Sequence, residues 1–179
     1  MLVELLNHPR RIWTCILLAC VGLLSFGMYL QHVVGLVPCP MCIVQRYVMV
    51  LMALVALFGV FFSSQKSARL VGCGLILLGV GGAYVAARQT WLQWYPPEFA
   101  SCGRDFYGMI ETFPLQRAIP MIFKGGGDCT KVDWTFLGGS IANWSFLAFV
   151  SLGLLAMATT VLAWRSPTQP APEVTGDLA

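Results

Sequence analysis

Apolar and charged positions along this chain segregate on the scale of whole helices. Four stretches run free of charge or nearly so: 12–30, 41–62 (interrupted only by Arg46), 70–87 and 141–164. Each approaches the roughly 20 residues that a helix needs to cross ~30 Å of hydrocarbon. A single soluble core has no use for four such segments in 179 residues. The pattern predicts an all-α fold, an integral membrane four-helix bundle, as a single membrane domain over 1–179. In the third stretch, Gly79, Ala83 and Ala87 recur at helical spacing and predict close helix contact. Composition agrees: 58% of residues are hydrophobic and 11% charged, with a mean hydropathy of +0.74, beyond the range of ordinary soluble domains.

Charge then orients the bundle. Arg10 and Arg11 precede the first span, Lys66 and Arg69 lie between the second and third, and Arg165 follows the fourth. The positive-inside rule places these on the cytoplasmic side, with both termini. The loop 31–40 has no Lys or Arg. In the long loop 88–140, Arg88, Arg104, Arg117, Lys124 and Lys131 balance Glu98, Asp105, Glu111, Asp128 and Asp133. Both loops are expected to face outward. The basic start and long apolar run read as an uncleaved anchor rather than a signal peptide. The Pro-rich tail 166–179 reads as disordered.

Seven cysteines fall into two groups. Cys15, Cys20 and Cys73 lie inside spans and read as small buried hydrophobes. Cys39, Cys42, Cys102 and Cys129 lie in the outward loops, where an even number suggests disulfides. Cys39-Pro40-Met41-Cys42 stands at the mouth of the second span. A disulfide across so short a loop removes little chain entropy, so this pair reads as redox-active rather than bracing. Cys102 and Cys129 are far apart in sequence, and a static crosslink there is worth roughly 3–4 kcal/mol by loop entropy. A structural staple and a redox role both remain open for that pair. Zinc on four thiolates is disfavoured by the spread of the second pair and by an oxidising location.

Pro40 suits the first position of a helix, which puts Cys39 at its N-terminus, where backbone N–H groups favour a thiolate. Arg46 follows Cys42 by four residues, so the two share a helix face about 6 Å apart along the axis. A guanidinium in a span is costly and marks a functional site, with snorkelling to headgroups as the alternative. It could stabilise a thiolate or a reduced, anionic oxygen of an electron acceptor. The chain has no glycine-rich dinucleotide fingerprint and no Cys-x-x-Cys-His haem signature. An apolar two-electron carrier dissolved in the bilayer fits instead, and a quinone matches that description.

These residues resemble the DsbB family, the disulfide bond formation protein B of bacterial inner membranes. The likeness runs from about residue 10 to 164. It includes Gln31-His32-Val33, Pro38-Cys39, Cys42-Ile43, Arg46, Leu92-Gln93-Trp94-Tyr95-Pro96 with Phe99 and Cys102, Gly127-Asp128-Cys129, and Trp134 with Phe136-Leu137-Gly138. The resemblance implies a relay in the bacterial inner membrane. Cys102–Cys129 would oxidise a periplasmic thioredoxin-fold partner of the DsbA type. Cys39–Cys42 would reoxidise Cys102–Cys129, and membrane quinone, ubiquinone or menaquinone, would reoxidise Cys39–Cys42. Cys42 would lie nearest the ring, with Arg46 polarising it; no nucleic acid is implied. The resemblance also places Gln89 where some members carry a histidine thought to contact quinone. Gln can donate a hydrogen bond but cannot hold a proton at neutral pH. His32 is a further candidate for quinone contact. The run Gly125-Gly126-Gly127 and the apolar segment 113–123 read equally as a hinge with Cys129 held near the bilayer or as an ordinary Gly-rich turn. The rival class is a non-catalytic four-helix membrane protein with a structural Cys102–Cys129 disulfide.

Overall fold

The computed structural model describes residues 9–62, 64–96 and 127–165. Four long helices carry the chain back and forth: α1 Pro9–His32, α2 Pro40–Phe61, α3 Gln65–Trp94 and, after a short helix, α5 Ile141–Arg165. All four are long and apolar enough to cross a membrane. The short helix α4 is Gly127–Thr130, and a small hairpin of β1 (Thr135–Phe136) and β2 (Gly139–Ser140) joins it to α5. Cys102, the glycines 125–126 and the segment 113–123 lie outside the described residues.

Local sequence explains the helix starts. Pro9 opens α1 and Pro40 opens α2, where a missing N–H is harmless. Cys39 is the N-cap of α2, its sulfur accepting from the Cys42 N–H at 3.3 Å. Ser64 caps α3 by accepting from Ser67 N–H at 3.2 Å. The hairpin turns through Leu137 (φ 49°) and Gly138 (φ 79°), two successive left-handed residues as a type I′ turn requires. Glycine adopts this freely; leucine does not, and Leu137 is 82% exposed at the tip.

Helix α3 departs from the expected span. It does not stop at Ala87 but continues through Arg88 to Trp94. At 1.5 Å per residue its 30 residues cover about 45 Å, well beyond the hydrocarbon. Arg88 marks the end of the apolar run, not of the helix. The extension is fastened from above: Ser140 Oγ donates to Gln93 Oε1 at 2.7 Å, and Thr90 Oγ1 to Asn143 Oδ1 at 3.0 Å.

The core is laid out by alternating steps of four and three residues. Along α3 the buried positions include Ala68, Gly72, Leu75, Gly79, Gly82, Ala86 and Gln89. Along α2 they include Gln45, Met49, Met52, Ala56 and Gly59. This is the seam of left-handed bundles, with ridges of one helix in grooves of the next. Packed on it are Ile12, Trp13, Ile16 and Cys20 of α1 and Phe149, Leu152 and Ala156 of α5. The tightest approach is α3 on α5. A Cβ on Gly79 would sit 3.2 Å from Gly153 Cα, and one on Gly82 only 2.4 Å from the Phe149 ring. Small residues make the contact, as expected, but on a different stripe: Gly79 belongs to it, whereas Ala87 is exposed. Equal steps of four drift around the helix, and steps of four and three do not. Cys20 is buried as expected, while Cys15 and Cys73 face outward with the lipid-side leucines.

Gly82→Leu is expected to destabilise the bundle by about 1–3 kcal/mol through overpacking against Phe149. Gly81→Leu, with nothing within 4 Å of its added Cβ, should leave melting in detergent nearly unchanged. Equal melting temperatures for the two variants would contradict this seam.

Candidate functional site

Two of the buried stripes carry a glutamine toward the end of the bundle that holds the Cys-x-x-Cys pair, and these meet. Gln45 Nε2 donates to Gln89 Oε1 at 2.7 Å. Gln89 Nε2 in turn donates to both sulfurs of the Cys-x-x-Cys pair, at 3.3 Å to Cys39 and 3.2 Å to Cys42. Gln45 is 6% exposed and Gln89 3%. Buried amides must satisfy their polar atoms inside the protein, and this pair does so through the thiols.

The Cys39 and Cys42 Sγ atoms are in direct contact at 2.7 Å, with both cysteines free. Cys129 of α4 is fully buried in the same cluster as Cys39, Met41, Val85 and Leu92. The Cys39 side chain is hydrogen-bonded to Cys129 as well as to Cys42. Thus Cys39 stands between a partner from its own pair and one from the second loop. Its thiol is pushed well above the ordinary value, first by the hydrogen bond to Cys129, then by that to Cys42 and by burial. That is the reverse of what its place at the helix N-terminus predicts. The Cys42 N–H and the Gln89 amide both favour charge on Cys39, but the neighbouring sulfurs and the loss of solvent outweigh them.

Arg46 turns away from bulk water toward α1. Its Nη2 donates to the Gly27 carbonyl at 3.0 Å and its Nη1 to Gln31 Oε1, with Met28 Sδ at 3.9 Å. The guanidinium is half-buried and lines a cavity of about 590 Å³. Cys39, Cys42, Gln45 and Gln89 line the same cavity, as do Leu23, Leu24, Leu30, Met49 and Phe149. Trp134, Phe136 and Trp144 form its aromatic rim. Phe26 packs edge-on to Trp134 at 5.9 Å, and Trp144 Nε1 donates to the Phe136 carbonyl at 2.9 Å. The volume is that of a small-molecule site, mostly apolar with a few convergent polar groups.

The structure therefore brings together Cys39, Cys42, Cys129, Arg46 and Gln89. His32 is exposed at the end of α1 and does not line the cavity. Cys102 lies outside the described residues. Sequence reasoning passed over Gln45 and the Gln31 tether. The signal for Gln45 was available: it falls in register with Met49, Met52 and Ala56 on the buried stripe.

Comparison with known proteins gives a consistent picture. The model of the family described as disulfide bond formation protein DsbB matches residues 9–159. A disulfide bond formation protein B of Polaromonas naphthalenivorans (strain CJ2) is 67% identical over 158 residues, covering 88% of this chain and 94% of the relative. One from Albidiferax ferrireducens is 64% identical over 161 residues, covering 89% and 90%. One from Azoarcus sp. (strain BH72) is 47% identical over 157 residues, covering 87% and 95%.

With Cys42 and Cys102 both replaced by Ala, mild oxidation is expected to join Cys39 to Cys129 in high yield, as read by peptide mass mapping. Absence of that link, with Cys39 and Cys129 recovered as thiols, would contradict their contact.

Proposed function

Because this chain belongs to the DsbB family of disulfide bond formation proteins, and is a multi-pass membrane protein with a thiol-oxidising role, we propose that it recharges a periplasmic dithiol oxidant at the expense of membrane quinone. The observation that carries this reading is the placement of Cys39. It touches Cys129 on one side and Cys42 on the other, and the Cys39–Cys42 pair opens onto an apolar cavity.

The route starts at the second pair. The Cys102–Cys129 disulfide is attacked by a thiolate of a reduced, thioredoxin-fold partner of the DsbA type, with Cys102 taking the mixed disulfide. The partner's second thiol resolves it, leaving the partner oxidised and Cys102 and Cys129 reduced. The Cys129 thiolate then attacks Cys39 of the Cys39–Cys42 disulfide, for which their contact supplies the proximity. Closure with Cys102 restores the second pair and leaves Cys39 and Cys42 as thiols. Quinone, as the electron-accepting substrate, takes the two electrons and two protons of that dithiol and leaves as quinol.

The residues present fit such a substrate. The leucine, methionine and aromatic walls suit an apolar ring and tail. Arg46, anchored to Gly27 and Gln31, holds a fixed positive charge in the cavity wall where reduction develops negative charge. Preorganised charge of this kind is worth several kcal/mol in a dry site. Cys42, on the face of α2 that carries Arg46, is the sulfur proposed to meet the ring. The Lys and Arg pattern supports the inner membrane as the location, with both termini in the cytoplasm.

Purified protein given a reduced DsbA-type partner should reduce quinone analogues, and Cys42→Ser should abolish this while the protein still inserts. Arg46→Gln should raise the KM for quinone or lower kcat by about tenfold or more. Arg46→Lys should recover only part, since it keeps charge but loses the planar fork. Near-normal turnover in Cys42→Ser, or full recovery with Lys, would overturn these roles.

A further inference from the structure

We propose that Gln45 is a positioning residue, which fixes the Gln89 amide so that its NH₂ group, and not its carbonyl, faces the Cys39 and Cys42 sulfurs. The inference rests on the thiol-oxidising reading above and adds a residue to it that acts only through another.

A side-chain amide has two ends of nearly equal shape and opposite character. Turned one way, Gln89 offers an N–H that the two sulfurs share; turned the other, it offers oxygen lone pairs. A thiolate is stabilised by the first and repelled by the second. The two orientations fill the same space, so packing alone does not choose between them. The polar group at the far end is the Gln45 amide, and the bond between the two amides ties the orientation of one to that of the other. Gln45 Nε2 donates to Gln89 Oε1 at 2.7 Å, which leaves Gln89 Nε2 at 3.3 Å from Cys39 Sγ and 3.2 Å from Cys42 Sγ. The two sulfurs lie so close together that they share one N–H of this amide as a three-centre hydrogen bond.

Burial makes the arrangement decisive. Both glutamines are more than nine-tenths buried, and hydrogen bonds to charge strengthen where the surroundings are apolar. Gln45 also occupies a core position, one turn before Met49, so α2 packing holds its backbone in place. An amide donor has a further property. It remains neutral across the working pH range, so the support it gives the sulfurs does not titrate away. Whichever sulfur bears the charge during exchange, the same group meets it.

The test is a double-mutant cycle on thiol reactivity, which needs no quinone. The full-length protein in detergent is reduced, alkylated with iodoacetamide at one fixed pH, and the Cys39 and Cys42 peptides are followed by mass. Gln89→Met, which removes the donor, should slow alkylation of the more reactive sulfur by about tenfold. Gln45→Met, at a side chain that makes no hydrogen bond to either sulfur, should slow it by about threefold by freeing the amide to turn. The double variant should match Gln89→Met alone. Should Gln45→Met fail to insert, Gln45→Asn keeps the amide one methylene short and serves the same comparison. In quinone assays Gln45→Met should lower kcat with KM within about twofold. Wild-type alkylation in the Gln45 variant, or effects that multiply in the double variant, would overturn the proposal. A protein that passes the alkylation cycle yet reduces no quinone would refute the quinone reading alone and sustain this one.

Discussion

A polar group on the buried stripe of a membrane helix must find its partner inside the protein, because hydrocarbon offers none. That constraint organises the cysteine-bearing end of this bundle. Gln45 and Gln89 sit where the repeat of α2 and α3 otherwise places methionine, alanine and glycine. They satisfy one another and then the two cysteine sulfurs. The site is thus a continuation of the core with the side chains changed. Its precision comes from the packing below it, where Gly79 and Gly82 let α5 close on α3.

Arg46 obeys the same rule with higher stakes. A guanidinium in a half-buried setting loses much of its hydration, and the protein returns part of that through the Gly27 carbonyl and Gln31. The tether runs to α1, whereas the cysteines are held by α2, α3 and α4. The cavity consequently has both charge and sulfur in its lining, each steadied by a different set of neighbours.

Much of this was legible in the chain. The four spans could be read because charge bounds them, and the close cysteine pair because Cys39-Pro40-Met41-Cys42 stands where α2 begins. Family resemblance pointed to Gln89. What escaped has identifiable causes. Arg88 ended the apolar run and concealed that α3 continues to Trp94, since hydropathy follows the bilayer and not the helix. Gln45 interrupts nothing on a hydropathy scale, and only its register with Met49 and Met52 gives it away. The hairpin at 135–140 turns on Leu137, a residue that no turn preference favours at positive φ. The meeting of Cys39 and Cys129 is tertiary, and spacing carries no trace of it.

The extension of α3 has a consequence for how this chain can vary. Seam and site share one unbroken helix from Gly72 to Gln93. Inserting or deleting a single residue between Gly82 and Gln89 would turn everything beyond it by about 100°. Gln89 would leave the sulfurs, and Thr90 and Gln93 would leave the hairpin and α5. The distance from packing to chemistry is therefore geared in whole steps of the repeat. A change of length that kept both seam and site would have to add or remove a whole repeat, about seven residues, at once.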